Sequence, residues 1–301
     1  MTPDPTPSAA ARPAARTSGP YPSRKPRDDE LDVFGLTHIG KLRKQNQDHY
    51  LLASIYKRVQ ILSTSLSSSE QLPFGDERIA YLAMVADGVG GSEGGERASS
   101  TALEIVMRYV ATSMDCYYRA DSGEADFIDS LEHAAMQAHA VVVDRAQREP
   151  NVSRMATTLT LWMGVWPWYY LLQVGDSRYY LFHEGRLRQI SRDQTIAQDL
   201  IDDGVLARSS ANRSSYANVL SSSIGGPQTA PVVTRMPSRW GLVHLLCSDG
   251  LTKHVSDERI AERLGAMTGS KAACEALLQD ALDGGGTDNI TVIVGRALPK
   301  D

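Results

Sequence analysis

Acidic residues recur at the ends of apolar segments in this chain. Four of them, Asp87, Asp176, Asp249 and Asp288, stand beside Gly or a small polar residue, and a fifth, Asp48, directly precedes another apolar segment. A single Asp in such a place is commonly a turn or helix-cap residue. Five of them indicate a shared site, because carboxylates that converge on one place repel each other unless a cation neutralises them.

The candidate ligands all carry oxygen. Oxygen ligands suit Mg²⁺ or Mn²⁺, and the chain has no His pair or Cys cluster that offers zinc a typical site. Gly88, Gly90 and Gly91 closely follow Asp87 and permit a tight turn in which a main-chain carbonyl serves as a ligand. Metal pairs held by carboxylates suit the hydrolysis of phosphate esters, because they neutralise charge on the phosphoryl oxygens.

A site of this kind also needs a fixed cation for the substrate phosphate. Arg43 lies five residues before Asp48, and its planar guanidinium can hold two phosphate oxygens. The alternative for Arg43, taken on its own, is a solvated surface charge. Together with the acidic residues, this arginine favours phosphoryl chemistry.

The segments that must position these residues comprise many strands and few helices. The longer helices come in two pairs separated by consecutive strands, which predicts hairpins rather than a regular β-α-β alternation. Such a pattern is typical of antiparallel sheets covered by helices, an α+β layered sandwich. Strands are predicted over 33–37, 49–53, 79–86, 155–164, 168–174, 178–183, 186–190, 232–236, 242–247 and 290–295, and helices over 93–112, 125–147, 196–203, 257–267 and 271–282.

The first thirty residues differ from the rest. Seven of the fourteen prolines fall at or before Pro26, among Ala, Ser, Thr and Arg. Such a stretch cannot bury enough apolar surface to offset its ordering entropy, so we predict a disordered arm over residues 1–30. It contains no apolar region typical of a secretory signal. The remainder, residues 31–299, is predicted to form one domain.

Overall composition excludes several classes of protein. The formal net charge of −5 does not favour a general nucleic-acid binder, and no apolar run is long enough to span a bilayer. The three cysteines are widely spaced and odd in number, which fits a reducing compartment better than a disulfide framework. We therefore expect a cytoplasmic protein that binds neither nucleic acid nor membrane.

Six short motifs in a single order resemble the metal-dependent protein Ser/Thr phosphatases of type 2C, in their compact bacterial form. The resemblance covers about residues 34–294 and implies a four-layer α-β-β-α sandwich, with two antiparallel sheets face to face and a helix pair on each outer side. The motifs are Gly40-x-x-Arg43-x-x-Asn46-Gln47-Asp48, Asp87-Gly88-Val89-Gly90-Gly91, Ala156-Thr157-Thr158, Gly175-Asp176-Ser177-Arg178, Ser248-Asp249-Gly250-Leu251 and Asp288-Asn289-Ile290-Thr291.

The resemblance also implies a binuclear Mn²⁺ or Mg²⁺ site at one edge of the sandwich. Asp87 would bridge both ions, and the Gly88 carbonyl would bind one of them. Asp249 and Asp288 would hold the other ion. Asp176 matches a family position that binds a third, looser ion in bacterial members.

The roles of the remaining site residues follow from the same resemblance. Arg43 would bind the substrate phosphate, and Asp48 would orient metal-bound water, so that a metal-bridging hydroxide attacks phosphorus in line. The chain departs from the family at two positions. Gln47 replaces a carboxylate found in many members, which predicts weaker binding of one ion. Val89 replaces a His that some members carry as a candidate general acid, so the general acid is not identified.

The leading hypothesis is an enzyme that removes phosphate from Ser and Thr of proteins and so takes part in signal transduction. Its expected partners are Ser/Thr-phosphorylated proteins and a cognate Ser/Thr kinase acting in trans. Residues 192–224 occupy the place of the family's mobile flap, where we expect substrate specificity to lie. An ordinary surface loop is the alternative for that segment.

Two other functions stay open on the same fold. One is a non-catalytic binding module, which loss of metal ligands would indicate; Asp87, Asp249 and Asp288 are all present. The other is a two-metal hydrolase of different phosphate esters. A panel of phosphopeptides and small phosphate esters would separate this enzyme from a protein phosphatase.

Overall fold

The computed structural model describes residues 23–60, 63, 75–89, 92–113, 124–149 and 155–300. Most of the predicted N-terminal arm, most of residues 61–74, and both Gly90 and Gly91 therefore lie outside the described residues. The tight turn predicted at these two glycines stays a prediction.

In the described part of the chain, eleven strands and six α-helices form the fold, and each segment predicted as a strand or helix contains the corresponding element. The strands are β1 (Leu31–His38), β2 (Asp48–Val59), β3 (Gly75–Val89), β4 (Ala156–Thr157), β5 (Leu159–Val165), β6 (Trp168–Val174), β7 (Arg178–His183), β8 (Arg186–Gln189), β9 (Val232–Pro237), β10 (Val243–Cys247) and β11 (Ile290–Ala297). The helices are α1 (Ser92–Thr112), α2 (Glu124–Arg148), α3 (Ile196–Asp202), α4 (Asp249–Thr252), α5 (Asp257–Gly265) and α6 (Ser270–Asp283).

Two antiparallel sheets pack face to face. The first has the strand order β1-β11-β10-β7-β8, and the second has the order β2-β3-β5-β6-β9, with β4 paired to β3. Helices α5 and α6 cover the outer face of the first sheet, and α1 and α2 cover the outer face of the second. The predicted four-layer α-β-β-α sandwich is confirmed.

Strand β3 shows how the sequence builds these layers. Leu82, Met84 and Ala86 pack against α1 and α2, whereas Ala83 and Val85 pack between the two sheets. All five side chains are buried. Because the strand is covered on both faces, its sequence is a continuous apolar run rather than an alternating one.

Antiparallel pairing gathers the acidic residues at one edge of the sandwich. The beginning of β2 meets the end of β3, so that Asp48 is the direct partner of Asp87. The end of β10 lies beside the beginning of β11, which brings Asp249 and Asp288 to the same edge. Asp176 lies in the turn between β6 and β7.

Strand β3 extends further than the sequence predicted. The apolar run ends at Ala86, and a turn was expected at Asp87 and Gly88. Instead, the strand continues to Val89, because Gly88 pairs with Thr157 of the short strand β4. The partner segment is distant in sequence, so the apolar pattern carries no sign of this pairing.

The predicted arm is too long at its C-terminal end, because residues 23–30 contact the body. Glu30 is 1% exposed and accepts two hydrogen bonds from the Arg24 guanidinium, at 2.6 and 2.5 Å. The Trp240 indole N–H donates to the Arg24 carbonyl at 2.9 Å, and Arg78 donates to the Pro26 carbonyl. A buried carboxylate is tolerated only when it is paired in this way. The arm stays a prediction for residues 1–22.

Helix α4 was not predicted from the sequence, because its four residues are too few to show helical periodicity. It begins at Asp249 and thereby sets the direction of that side chain.

Within the described ranges, no helix combines the length and the apolar character needed to cross a bilayer.

Candidate metal centre

Asp48 and Asp87 place two carboxylates side by side on neighbouring strands, which costs stability unless a proton or a cation intervenes. Asp48 Oδ2 accepts hydrogen bonds from Ser248 Oγ at 2.7 Å and from Thr291 Oγ1 at 2.8 Å. Its other oxygen, Oδ1, is buried and has no partner among the described residues. Burial raises the pKa of Asp48 to about 6, although the two hydroxyl groups oppose this effect.

Two threonines hold the main chain of Asp87. Its N–H donates to Thr158 Oγ1 at 2.9 Å, and its carbonyl accepts from Thr157 Oγ1 at 2.8 Å and from the Thr158 N–H at 2.9 Å. Burial, followed by the charges of Asp48 and Asp249, raises the pKa of Asp87 well above its usual range. A nearby divalent cation would reverse this effect and favour the carboxylate.

Gly88 lies where β3 passes close to the beginning of α1. A Cβ at this position would overlap the carbonyl oxygen of Gly95 and would lie 2.8 Å from the carbonyl oxygen of Gln47. Only glycine permits this approach of main chain to main chain. The need for Gly at this position therefore comes from the packing of β3 against the beginning of α1 and the main chain of Gln47.

Asp249 and Asp288 share one ammonium group. Lys253 Nζ lies 2.6 Å from Asp249 Oδ2 and 2.8 Å from Asp288 Oδ2. Asp249 Oδ1 is buried and unpartnered within the described part of the chain. Burial raises the pKa of Asp249, against the effect of Lys253. Burial acts in the same direction at Asp288, but hydrogen bonds from Arg43 and Lys253 lower the pKa of Asp288 overall.

Arg43 also faces Asp288. Its Nε lies 2.7 Å from Asp288 Oδ1, and its Nη2 lies 2.9 Å from Asp288 Oδ2, which is the bidentate geometry that a guanidinium also uses for phosphate. Gly40 adopts a φ of +81°, and a Cβ there would overlap the Asp288 carbonyl oxygen. The structure thus places Arg43 at the predicted edge. Its contact with a substrate phosphate stays a prediction.

Asp176 joins the same cleft from the turn between β6 and β7. Gly175 precedes it with a φ of +101°, a conformation that favours glycine. Burial and, after it, the charge of Asp249 raise the pKa of Asp176 to about 8. Asp176 lines the cleft together with Asp87 and Asp249, so all five predicted acidic residues lie at this edge.

Sequence reasoning missed several residues that position the carboxylates. Ser248 and Thr291 both donate to Asp48, and Ser248 lies next to a predicted ligand in its motif. Lys253 lies four residues after Asp249, the spacing of a helical ion pair. That spacing was a usable signal, but the short helix on which it depends was not predicted.

Asn289 ties the loop before Asp48 to the beginning of β11. Its Nδ2 donates to the carbonyls of Ile39 and Gln45 at 2.9 and 3.0 Å. Its Oδ1 accepts the Gln47 N–H at 2.9 Å. One amide side chain therefore holds the loop that carries Arg43 next to Asp288.

The two residues at which the chain departs from the family pattern both lie at the cleft. Gln47 lines the cleft, and its amide nitrogen lies so close to Gly95 of α1 that a Cβ there would overlap it. Val89 also lines the cleft and is 43% exposed. Because Val89 has no ionisable group, the general acid stays unidentified.

Residues 192–224 form one wall of the cleft. At the beginning of this segment, Arg192 pairs with Asp199 at 2.7 Å and with Asp202 at 2.5 Å. Residues 218–220 line the cleft beside the carboxylates. These contacts describe one conformation of the segment, and its mobility stays a prediction.

The donor set fits a hard divalent cation. It offers carboxylates, a nearby glycine carbonyl and two buried carboxylate oxygens that have no partner among the residues the structure describes. Across the described residues, no three acidic side chains surround a common point closely enough to hold an ion as they stand. Asp249 and Asp288 contact Lys253 and Arg43 instead, so metal binding requires these ion pairs to open.

Comparison with known sequences gives consistent matches. The family described as protein phosphatase 2C matches residues 73–284. The serine/threonine protein phosphatase PstP of Mycobacterium tuberculosis is 34% identical over 222 residues, which cover 74% of this chain and 41% of PstP. The serine/threonine phosphatase stp of Listeria monocytogenes is 28% identical over 216 residues, or 71% of this chain and 83% of that protein. The chain thus spans about two fifths of the length of the mycobacterial relative.

Solved structures show the same fold. The crystal structure of the M. tuberculosis serine/threonine phosphatase PstP/Ppp matches with a TM-score of 0.71 and 28% identity, over 89% of this chain and 99% of that chain. A structure of the PstP catalytic domain in complex with two manganese ions matches with a TM-score of 0.69 and 28% identity, with the same coverage.

Proposed function

Because this chain belongs to the protein phosphatase 2C family, we propose that it hydrolyses phosphoserine and phosphothreonine in proteins with the help of divalent metal ions. The observation that carries the proposal is the convergence of five carboxylates on one open edge beside an arginine. These carboxylates belong to Asp48, Asp87, Asp176, Asp249 and Asp288. The names of the related Ser/Thr phosphatases support the same activity.

The proposed metal ligands are those that the resemblance to the family implies, and their presence at one edge supports them. Asp87 and the Gly88 carbonyl would hold one Mn²⁺ or Mg²⁺ ion, with Asp87 shared between two ions, and Asp249 and Asp288 would hold the second. Asp176 would hold a third, looser ion. Bound ions of this kind neutralise charge on a phosphoryl group and activate water. The two manganese ions of the PstP catalytic domain support the binuclear part of this arrangement.

The side chains around the ions bind and orient the reactants. The Arg43 guanidinium would hold two phosphate oxygens in the fork geometry that it now uses for Asp288. Asp48 is held by the Ser248 and Thr291 hydroxyls, and its other oxygen, Oδ1, would accept a hydrogen bond from the attacking water. This positioning reduces the entropic part of the barrier.

The open cleft suits a phosphorylated side chain on a protein surface. Residues 218–220 of the flap segment border the cleft and would contact the chain on either side of the phosphorylated residue. We propose that the substrates are modified by a separate Ser/Thr kinase. The spacing of the cysteines favours the cytoplasm as the compartment.

The test of this function is a Mn²⁺-dependent assay on a chromogenic phosphate ester and on matched pSer, pThr and pTyr peptides. We expect hydrolysis of the ester, faster hydrolysis of pSer and pThr than of pTyr peptides, and loss of activity after chelation. Asp87→Asn, which removes the negative charge of the proposed shared ligand, is the inactive control. Activity on small esters alone would indicate a different phosphate-ester hydrolase, and inactivity on every substrate would indicate a binding module.

A further inference from the structure

Lys253 lies between the two carboxylates that are proposed to bind the second ion. Its ammonium group contacts Asp249 Oδ2 at 2.6 Å and Asp288 Oδ2 at 2.8 Å, and these two residues are the ligand pair assigned above to the second ion. An ammonium group between two carboxylates offsets their repulsion as a metal ion would. It carries a single charge and leaves Asp249 Oδ1 unpartnered within the described residues.

The main chain of α4 holds Lys253 in this place. The Lys253 N–H donates to the Asp249 carbonyl at 2.8 Å, so the side chains of Asp249 and Lys253 lie one helical turn apart on the same face. Leu251 on the same helix is fully buried and anchors it. The Lys253 side chain is 30% exposed and lines the cleft. The ammonium group therefore has open space to move into when it leaves the carboxylates.

We propose that Lys253 is a resident counter-cation, which keeps Asp249 and Asp288 together before metal binding and is displaced when a divalent cation binds them. The proposal rests on the metal site of the proposed function. Arg43 is paired with the same Asp288 carboxylate, so the incoming ion displaces both cations from Asp288. The ion thereby leaves two positive groups in the cleft that are free to contact an anionic substrate.

The experiment compares Lys253→Met with wild type, using the full chain with and without metal. Met retains the apolar stem and removes the charge. In calorimetric titrations at one pH and ionic strength, Mn²⁺ should bind Lys253→Met roughly tenfold or more tightly, because no ammonium group has to be displaced. The metal-free variant should melt below wild type, since Asp249 and Asp288 then repel each other. Saturating Mn²⁺ should remove that difference in melting temperature.

Lys271→Met is the matched control. Lys271 forms an ion pair with Glu275 one helical turn away, at 3.8 Å on the exposed side of α6. Its substitution should change neither the Mn²⁺ affinity nor the response of the melting temperature to Mn²⁺. If Lys253→Met does not fold without metal, Lys253→Gln retains a hydrogen-bond donor and serves in the same comparison.

An Mn²⁺ affinity that is unchanged or weaker in the Lys253 variants would overturn the proposal. Neither readout uses phosphatase activity, so the outcome is separate from that of the proposed function. Tighter Mn²⁺ binding in Lys253→Met, in a protein that hydrolyses no phosphate ester, supports the counter-cation and contradicts the proposed function. If the protein is a Mn²⁺-dependent phosphatase but its Lys253 variants bind Mn²⁺ like wild type, the proposed function is supported and the counter-cation proposal is contradicted.

Discussion

Arg43 combines a predicted contact with phosphate and an observed ion pair with Asp288. Arg43→Ala should lower kcat/KM on a phosphopeptide by about 10- to 150-fold, because a lost bidentate contact to a charged group is worth about 1.5–3 kcal/mol. Arg43→Lys should recover only part of this loss, since an ammonium group lacks the planar fork. Steady-state kinetics on one phosphopeptide provide the measurement.

Arg97→Ala is a suitable control for this substitution. The Arg97 side chain is 47% exposed, compared with 49% for Arg43, but it pairs with Glu149 and does not line the cleft. It should leave kcat/KM unchanged. Equal kinetics in wild type and Arg43→Ala would remove Arg43 from the phosphate site.

Asp249→Asn and Asp288→Asn should each abolish most of the activity by weakening the binding of one ion. Asn retains the shape but removes the charge that balances a divalent cation, so turnover should fall by at least about 100-fold, with partial recovery at high Mn²⁺. Calorimetric Mn²⁺ titration and phosphatase assays over a range of Mn²⁺ concentrations measure both effects. Asp144→Asn, at an exposed position of α2, is the control.

The structure adds an expectation about these variants without metal. Each loses an ion pair with Lys253, so neither should be more stable than metal-free wild type in thermal melts. A variant with wild-type Mn²⁺ affinity and wild-type activity would not be a metal ligand. Collapse of the fold in the metal-free variants would instead indicate that these acids serve as turn and cap residues.

At the scale of elements, helices α5 and α6 are joined by one acidic residue between two arginines. Asp280 of α6 accepts hydrogen bonds from Arg263 at 2.7 Å and from Arg259 at 2.9 Å. Hydrogen bonds from Arg263 lower the pKa of Asp280 to about 2 against the effect of burial, and Arg259 adds to this. Because the pKa is lower in the folded state, the pair stabilises the fold above the ordinary pKa of Asp. This contribution disappears as the pH falls towards 2.

Asp280→Asn should therefore lower the free energy of unfolding by about 1–2 kcal/mol at pH 7, after allowance for the exposure of the two arginines. The difference between variant and wild type should shrink as the pH falls below about 4. Denaturant-induced unfolding of both proteins at a series of pH values measures this difference in the free energy of unfolding. Asp283→Asn, on the exposed side of the same helix, should show little effect. A difference that is independent of pH would mean that Asp280 acts through packing.

At the scale of the whole molecule, the segment 23–30 contacts the end of the sandwich opposite to the acidic edge. Removal of residues 1–22 should leave the melting temperature and the turnover of a small phosphate ester nearly unchanged, given their predicted disorder. Removal of residues 1–30 should lower the melting temperature by several degrees, because it removes Glu30 and uncovers Trp240 and Arg78. Turnover well below the melting temperature should persist, because the site lies at the other end.

Thermal melts of the two truncated chains decide this prediction. A large fall after removal of residues 1–22 would mean that this part also packs on the body. Equal melting temperatures for both truncations would mean that the contacts of Glu30 and Arg24 contribute nothing to stability.

The sequence by itself determined most of the strands, the longer helices, the fold class and the identity of the acidic residues. Apolar periodicity and turn residues are local properties, so the strands and the long helices follow directly from them. Motif spacing identified Asp48, Asp87, Asp176, Asp249 and Asp288 as one set, because like charges at the ends of apolar segments need a common explanation.

Tertiary structure alone decided which groups meet at the edge. The register of β2 against β3 sets Asp48 opposite Asp87, and Lys253 contacts Asp288, which lies 35 residues away in the chain. Tertiary packing also extended β3 through β4 and buried Glu30, so that the folded body includes residues 23–30. These features depend on the pairing and burial of segments far apart in the chain. Local sequence patterns carry no record of such contacts, because their energies arise only when the sheets and helices pack together.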